Sequence, residues 1–322
     1  MERNSRGVLV RHVEPFPPTA GTPGLAQGSY GQRGNLELVI PDPLDGFWVF
    51  WFNADLDERH AGAALGRWSG GLHVPTRSLL NRVSIAQVPF GPNFLEVATE
   101  GSDGRQRWYW TPTDGFVHDG PLPDGPSGNG PVAVNDSLIT VAADRCVVSG
   151  ASNYPTLDWV ADGPTIAGVR SASIAALAGR VALAVVRSDG VGALFVGDAP
   201  VVRIEGDWRE LVVAGAAVRR SEGWQLVGID QGGIVQLITV TDTDATMVVE
   251  RVERAELGRP EPAAAVAATT SSLGEGTVEI VVRQADRLLH LRVSGGTTQV
   301  SELTSDVWVA LPRPATVHRR SP

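Results

Sequence analysis

Asn35-Leu36-Glu37-Leu38-Val39-Ile40, a turn through Pro41 to Gly46, and Phe47-Trp48-Val49-Phe50-Trp51-Phe52 form the stretch from which the fold can be read. Successive side chains on a strand point to opposite faces, so apolar residues at alternate positions mark a half-buried strand, and the Pro- and Gly-bearing turn returns the chain as its antiparallel partner. About fifty residues later the plan recurs as Asn93-Phe94-Leu95-Glu96-Val97-Ala98-Thr99, a turn through Gly101 to Gly104, and Arg107-Trp108-Tyr109-Trp110. A repeated hairpin with an aromatic return strand is the signature of one blade of a β-propeller.

Working outward, the apolar segments fall into six repeats across 29–304: 29–80, 83–124, a third from 130 to near Trp159, then 172–204, 215–252 and 263–303. Each repeat opens on a strand of small residues, such as Ala172-Ser173-Ile174-Ala175-Ala176, and continues with a bulkier one, such as Val181-Ala182-Leu183-Ala184-Val185-Val186. Innermost strands converge on an axis with room for short side chains only, whereas the middle strands must fill the space between blades. The segments are short, β-branched and broken by Gly or Asp-Gly turns, which argues against helices. The expected fold is all-β, a single propeller domain over 1–322 with four-stranded blades. A short strand at 7–13 and a Pro- and Gly-rich connection over 14–28 precede the repeats, and a closing strand and tail over 305–322 follow them. Six blades with one terminal strand as clasp is the favoured count; seven, with the two ends building a shared closing blade, is the alternative.

Composition narrows the function classes. Of 322 residues 43% are hydrophobic and 20% charged, which suits a chain that buries a substantial core. A formal net charge of -9 argues against a nucleic-acid partner, since phosphate neutralisation needs a concentrated basic face. All 27 basic residues are Arg, so neither a Schiff-base lysine nor a P-loop lysine is available. The single cysteine, Cys146, excludes an internal disulfide and sits in an apolar strand-like context. No run approaches the ~18 apolar residues of a membrane span and no apolar signal core follows Met1, so no membrane insertion and a cytoplasmic location are expected by default. Release by a non-classical route would leave no mark in the sequence, and the oligomeric state is not legible in it.

The first two repeats resemble the PLL-like bacterial β-propeller lectins, whose repeats read Gly-Asn-Phe-Glu-Val-Val and, after a turn, His-Tyr-Trp-Arg-Asp. The matching residues are Gly34-Asn35-Leu36-Glu37-Leu38-Val39 with Val49-Phe50-Trp51-Phe52-Asn53, and Asn93-Phe94-Leu95-Glu96-Val97-Ala98 with Trp108-Tyr109-Trp110-Thr111. Aligned this way, the motif's His becomes Val49 and Trp108 and its Arg becomes Phe52 and Thr111, while His290 keeps a His in the sixth repeat. The resemblance implies fucose-type sugar binding in clefts between blades, with aromatic faces stacked on the sugar and polar side chains on its hydroxyls.

On that footing the candidate stacking residues are Trp48, Trp51, Trp108, Tyr109 and Trp110, with Asn53, Asp55 and Arg107 as polar partners. The alternative reading of each Trp is blade-to-blade packing; Trp48 and Trp51 have opposite parity, so they face different sides of one strand. Asp42, Asp45, Asp55, Asp57 and Glu58 read as turn carboxylates or as a hard-cation site. The six histidines show no HExxH pair, no Gly-x-Ser-x-Gly elbow is present, and no acid–base carboxylate pair announces a glycosidase. The expected function is therefore a non-catalytic, lectin-like module with a glycan partner, no cofactor, no catalytic residue and no metal. A protein-binding scaffold in a larger toxin or secretion assembly is the alternative, and a propeller hydrolase ranks last.

Overall fold

The hairpin at 35–52 pairs in antiparallel register from Leu36 opposite Phe52 to Pro41 opposite Phe47, and it forms the two middle strands of a blade. The computed structural model describes residues 7–54, 63–90, 94–128, 130–142, 145–150, 152, 154–162, 166–177, 179–197, 201–218, 221–241, 247–251, 262–285 and 287–312.

Six four-stranded antiparallel sheets follow one another along the chain. The first blade comprises Gly24–Gln27, Leu36–Pro41, Phe47–Phe52 and Leu72–Val74, and the second Leu80–Val88, Phe94–Gly101, Gly104–Thr111 and Gly115–Pro121. The third comprises Val132–Val134, Ser137–Ala142, Arg145–Gly150 and Val160–Asp162; the fourth, Val169–Leu177, Arg180–Arg187, Gly192–Val196 and Val202–Ile204. The fifth has Trp208–Val218, Ser221–Asp230, Val235–Thr241 and Met247–Arg251, and the sixth Ala263–Thr270, Val278–Gln284, Arg287–Ser294 and Thr297–Glu302. A two-residue strand, Ser127–Gly128, adds in parallel to the innermost strand of the fourth. The innermost strand of each blade touches that of the next, and the sixth returns to the first. The protein is a six-bladed β-propeller.

In four blades the innermost strand begins earlier than the sequence suggests: at Gly24, Leu80, Val169 and Trp208. Gly24–Gln27, the innermost strand of the first blade, lies inside the Pro- and Gly-rich segment read as a connection. Four residues give too little alternation to be seen, and the glycine that interrupts the pattern is required by packing: a Cβ on Gly24 would stand 2.5 Å from the Cα of Ser84 on the next blade. The fifth blade starts at Trp208, not 215.

Neither sequence expectation for the chain ends describes the closure in full. Gly7–Pro15 and Thr304–Pro312 pair with each other as a two-stranded antiparallel ribbon, in addition to six complete blades. The ribbon joins the first blade through bridges from Ser305 to Trp68 and from Trp68 to Phe52. Both ends thus cover one blade edge, which blunts the unpaired row of backbone groups.

Side chains of the innermost strands stitch the ring. Gln27 accepts the Ser272 N–H at 2.9 Å and Gln87 accepts the Ser29 N–H at 3.0 Å, so the same position in two blades reaches back to the preceding blade. Ser84 accepts the Gly130 N–H and Ser173 the Val213 N–H, reaching forward. These bonds satisfy backbone donors that face the axis rather than a ladder. Along the axis lies a cavity of about 190 Å³ that all six blades line, among them Gln27, Ser84, Ala133, Ala175, Ala214 and Thr269. Between blades the core is apolar, as where Leu38, Ile40 and Phe50 of the first meet Val281 and Leu288 of the sixth. Similar clusters join first to second, third to fourth, fourth to fifth and fifth to sixth.

Candidate functional site

Three neighbouring blades carry a glutamate at one register position of the second strand. Glu37, Glu96 and Glu279 pair with Ala26, Ala86 and Thr269 on the innermost strands and with Trp51, Tyr109 and Arg292 on the third strands. Two residues earlier on the third strand, the same register places Val49, Arg107 and His290. The sequence alignment had set Trp108 against Val49; the register sets Arg107 there.

These positions create three different environments. In the second blade Arg107 Nε and Nη2 each meet a Glu96 oxygen at 2.7 Å, and Nη1 donates to Asp119 and to the Pro155 carbonyl of the third blade. The Tyr154 hydroxyl donates to Glu96. Burial opposes charge on Arg107, but Glu96 and Asp119 outweigh it and hold its pKa above the ordinary value. Burial outweighs the pull of Arg107 and Tyr154 and holds the Glu96 carboxyl above the usual carboxylate range. With two 2.7 Å bonds from a guanidinium that stays charged, the ionised pair is the form this site is built around. In the sixth blade Glu279 receives Arg292 at 2.7 Å, the Ser271 hydroxyl at 2.7 Å, and lies 2.8 Å from His290 Nε2. Burial opposes its charge, and these bonds, His290 first, hold it below the usual carboxylate range. In the first blade the position is Val49, and among the described residues Glu37 keeps only the Asn35 amide at 2.7 Å. Burial then dominates and lifts Glu37 to about 8.

The interface of the second and third blades is therefore polar. Arg105 adds to it, donating to Pro123 and Val141 carbonyls at 2.9 Å. Phe94 stacks on Tyr154 with centroids 5.6 Å apart, and Tyr109 meets Tyr154 edge-on at 6.3 Å. The predicted polar partner Arg107 is only 1% exposed and has four of its N–H bonds committed to protein oxygens, so this network joins two blades.

A different arrangement lies between the first and second blades. A cavity of about 170 Å³ is lined by Trp108, His118, Gln106, Thr99, Thr76 and Ser78, among others. Trp108 is oriented by Phe47 at its edge, 5.8 Å away and 77° inclined, and by His118, its cross-strand partner, at 4.8 Å. His118 Nε2 lies 3.1 Å from the Gln106 carbonyl oxygen, and the Gln106 amide donates to Asp103 O at 2.8 Å. Among the described residues the buried Trp108 indole N–H has no hydrogen-bond partner. An aromatic ring, an imidazole, a side-chain amide and three hydroxyl side chains thus line one cleft, which suits a ligand with apolar C–H faces and hydroxyl groups.

The remaining predicted residues lie elsewhere. Trp110 packs with Phe116 against the core shared by the first two blades. Tyr109 faces the opposite side of its strand, toward Arg107 and Tyr154. Trp48 stacks on Phe50 at 6.0 Å and donates its indole N–H to Asp42 at 2.8 Å. Burial raises the pKa of Asp42, but bonds from Leu44, Trp48 and Asp45 outweigh it and lower the group overall. Trp51 is half-buried on the other face, opposite Glu37. Asn53 is fully buried and donates to Ala63 O at 2.7 Å, anchoring the loop beyond the strand. Asp45 accepts the Thr76 and Arg77 N–H groups, the turn role foreseen for it and Asp42. Asp55, Asp57 and Glu58 lie outside the described residues. Among the described residues no group of three or more His, Cys, Asp or Glu side chains is gathered to hold a metal ion.

The sequence reading missed Glu37, Glu96 and Tyr154, together with the cleft residues His118, Gln106, Thr76 and Ser78. His118 had one available signal, since it sits on the strand after Trp108 at the distance that a hairpin brings into register.

No protein-family model matches the sequence, and no curated protein does. Solved structures match over nearly the whole chain. AofleA from Arthrobotrys oligospora aligns with a TM-score of 0.61 at 10% identity, covering 95% of this chain and 94% of that one. The six-bladed β-propeller lectin of Aleuria aurantia, described with a novel fucose recognition mode, gives 0.54 at 11% identity over 93% and 100%. The likeness is one of fold. The SapL1 lectin in complex with alpha methyl fucoside gives 0.55 at 10% identity over 91% and 97%. A PQQ-bound aldose sugar dehydrogenase from Streptomyces coelicolor shares the fold too, with 0.52 at 14% identity over 94% and 100%.

Proposed function

We propose that this propeller is a lectin-like, non-catalytic module that binds a single sugar ring in the cleft between its first and second blades. The observation that carries the reading is Trp108: a ring fixed by Phe47 and His118 that lines a cavity beside Gln106 and the hydroxyls of Thr76 and Ser78. A pyranose offers a C–H face to such a ring and hydroxyls to such polar side chains. The volume of about 170 Å³ falls below the ~300–1,000 Å³ of pockets for drug-sized ligands, which suits one ring with the rest of a glycan outside. Fucose is the first sugar to test, because fucosides are bound by lectins that share the fold. In this reading Trp108 stacks, His118 and Gln106 bond hydroxyls, and Arg107 supports the strand from its other face. The test is a glycan array probed with the full chain: reproducible fucosylated hits support the reading, and an array without hits at high protein concentration overturns it.

A second reading is a protein-binding scaffold. Leu44 is 84% exposed, and Leu72, which opens the outermost strand of the same blade, and Leu79, which follows that strand, are 46% and 58% exposed. Such residues on one blade suit an interaction face. Pull-down with Leu44→Ser and Leu79→Ser variants alongside the parent chain tests it.

A further inference from the structure

At one end of the axis, arginines reach from blade to blade. Arg170 sits at a β-bulge opening the fourth blade and donates Nη2 to the carbonyls of Trp208 and Arg209 on the fifth, at 2.6 and 3.3 Å. Arg209 sits at the equivalent bulge of the fifth blade and donates Nη2 to Ala263 and Ala264 on the sixth, at 2.6 and 3.0 Å. Arg283, paired with Ala265 in the sixth blade, donates Nε to Gly21 at the start of the first, at 2.6 Å. At the bulges of the fourth and fifth blades the extra residue, Arg170 or Arg209, lies outside the ladder pairing and leans to the next blade.

Across the same mouth Arg82 of the second blade meets Glu210 of the fifth at 2.5 Å. Those blades stand opposite each other in a ring of six, so this ion pair spans the axis. Glu210 is thereby engaged by Arg82, and among the described residues Arg170, Arg209 and Arg283 have only carbonyl oxygens as partners. Burial first, and then the charge of Arg209, pull Arg283 below the ordinary arginine value, as expected of two cations held close without a carboxylate between them. This mouth is basic on a chain whose net charge is -9.

Each guanidinium is held in place through one nitrogen by a neighbouring blade, and among the described residues its other nitrogens have no hydrogen-bond partner. Such a set, oriented in advance, is the geometry that recognises tetrahedral oxyanions. Immediately inside, the passage lined by Gly24, Ser84, Val212 and Val266 holds only about 20 Å³, so a ligand is confined to the mouth. We propose that this axial mouth, built by Arg170, Arg209 and Arg283 beside the Arg82–Glu210 pair, binds a small multiply charged oxyanion of the phosphate or sulfate class. The site is separate from the Trp108 cleft and does not depend on sugar binding there.

Calorimetric titration of the full chain with inorganic pyrophosphate, and separately with sulfate, at low ionic strength tests this, with thermal unfolding in parallel. The expected result is saturable binding at one anion per chain and a raised Tm. Arg170→Gln and Arg209→Gln together should weaken binding at least about tenfold, because two of the three unneutralised cations are removed. Arg203→Ala, which removes an exposed arginine paired with Glu205 on an outer strand, should bind as the parent does. Arg170→Gln alone, at an exposed side chain, gives the same reading should the double variant fold poorly: a several-fold loss is expected. A preference for pyrophosphate over sulfate would assign a phosphate ligand, and the reverse a sulfate one. Absence of saturable binding to either anion, or parent-like binding by the Arg170 and Arg209 variants, would overturn the proposal.

Discussion

Glu37 and Glu96 occupy one register position in adjacent blades, yet Glu96 is clasped by Arg107 at 2.7 Å while Glu37 faces Val49 and keeps a single amide donor. The same fold position thus holds an ion pair in one blade and a carboxyl lifted to about 8 by burial in the next. One substitution of the cation by an aliphatic side chain accounts for the difference.

That difference makes stability depend on pH. A folded-state pKa of about 8 against an ordinary 4.5 means that the folded chain holds a proton which the unfolded chain releases across this window. The contribution of Glu37 is complete below 4.5 and is lost as pH rises to about 8, at up to roughly 1.4 kcal/mol per pH unit. Glu37→Gln, which retains an acceptor for Asn35, should flatten the decline and leave the variant more stable than the parent at pH 8. Urea unfolding at intervals from pH 5 to 9 measures this, and parallel curves for the two proteins would refute it.

Arg107 should behave as a structural cation. Arg107→Met leaves Glu96 buried without its partner, which costs about 3–5 kcal/mol. Adding Glu96→Gln removes the stranded charge and should restore part of that loss. Denaturation midpoints for the two single variants and the double close the cycle, and simple additivity would show that the residues act independently.

Gly24 tests the packing of the ring. A Cβ there would stand 2.5 Å from Ser84 Cα and 2.9 Å from Ile85 N, both backbone atoms that cannot swing aside. Gly24→Ala should cost about 1–3 kcal/mol, the usual range for overpacking. Gly104→Ala has open space around its Cβ but a φ of +79°, so its cost should come from backbone strain alone, near 1 kcal/mol. Thermal unfolding checks this: the Tm should fall further for Gly24→Ala than for Gly104→Ala, and equal falls would contradict the packing argument.

The architecture was legible because the second strand of a blade is a short run of apolar, largely β-branched residues bounded by turns, buried on both faces. Val181 to Val186 and Val278 to Val282 fall within the observed strands Arg180–Arg187 and Val278–Gln284. Gly24–Gln27 was not legible, since its residues are dictated by the neighbouring backbone and not by a two-faced pattern. The site was legible only in part. The first hairpin turns after Pro41 opposite Phe47 and the second after Gly101 opposite Gly104, so their loops differ in length. Aligning by resemblance across unequal loops moved the motif by one residue and hid Arg107 behind Trp108. A slip of one residue exchanges the two faces of a strand, which is why Arg107 and Tyr109 serve the third-blade side and Trp108 and Trp110 the first-blade side.

Trp108 carries the central claim, and Trp110 provides its control, because both lie on one face but only Trp108 lines the cleft. Trp110→Ala should lower stability by about 3 kcal/mol through lost packing. The most direct measurement is calorimetric titration of the parent chain and of Trp108→Ala with alpha-methyl fucoside, with unfolding curves confirming that both proteins are folded. The account predicts saturable binding by the parent and at least a tenfold loss in the variant; equal affinities in the two folded proteins would contradict it.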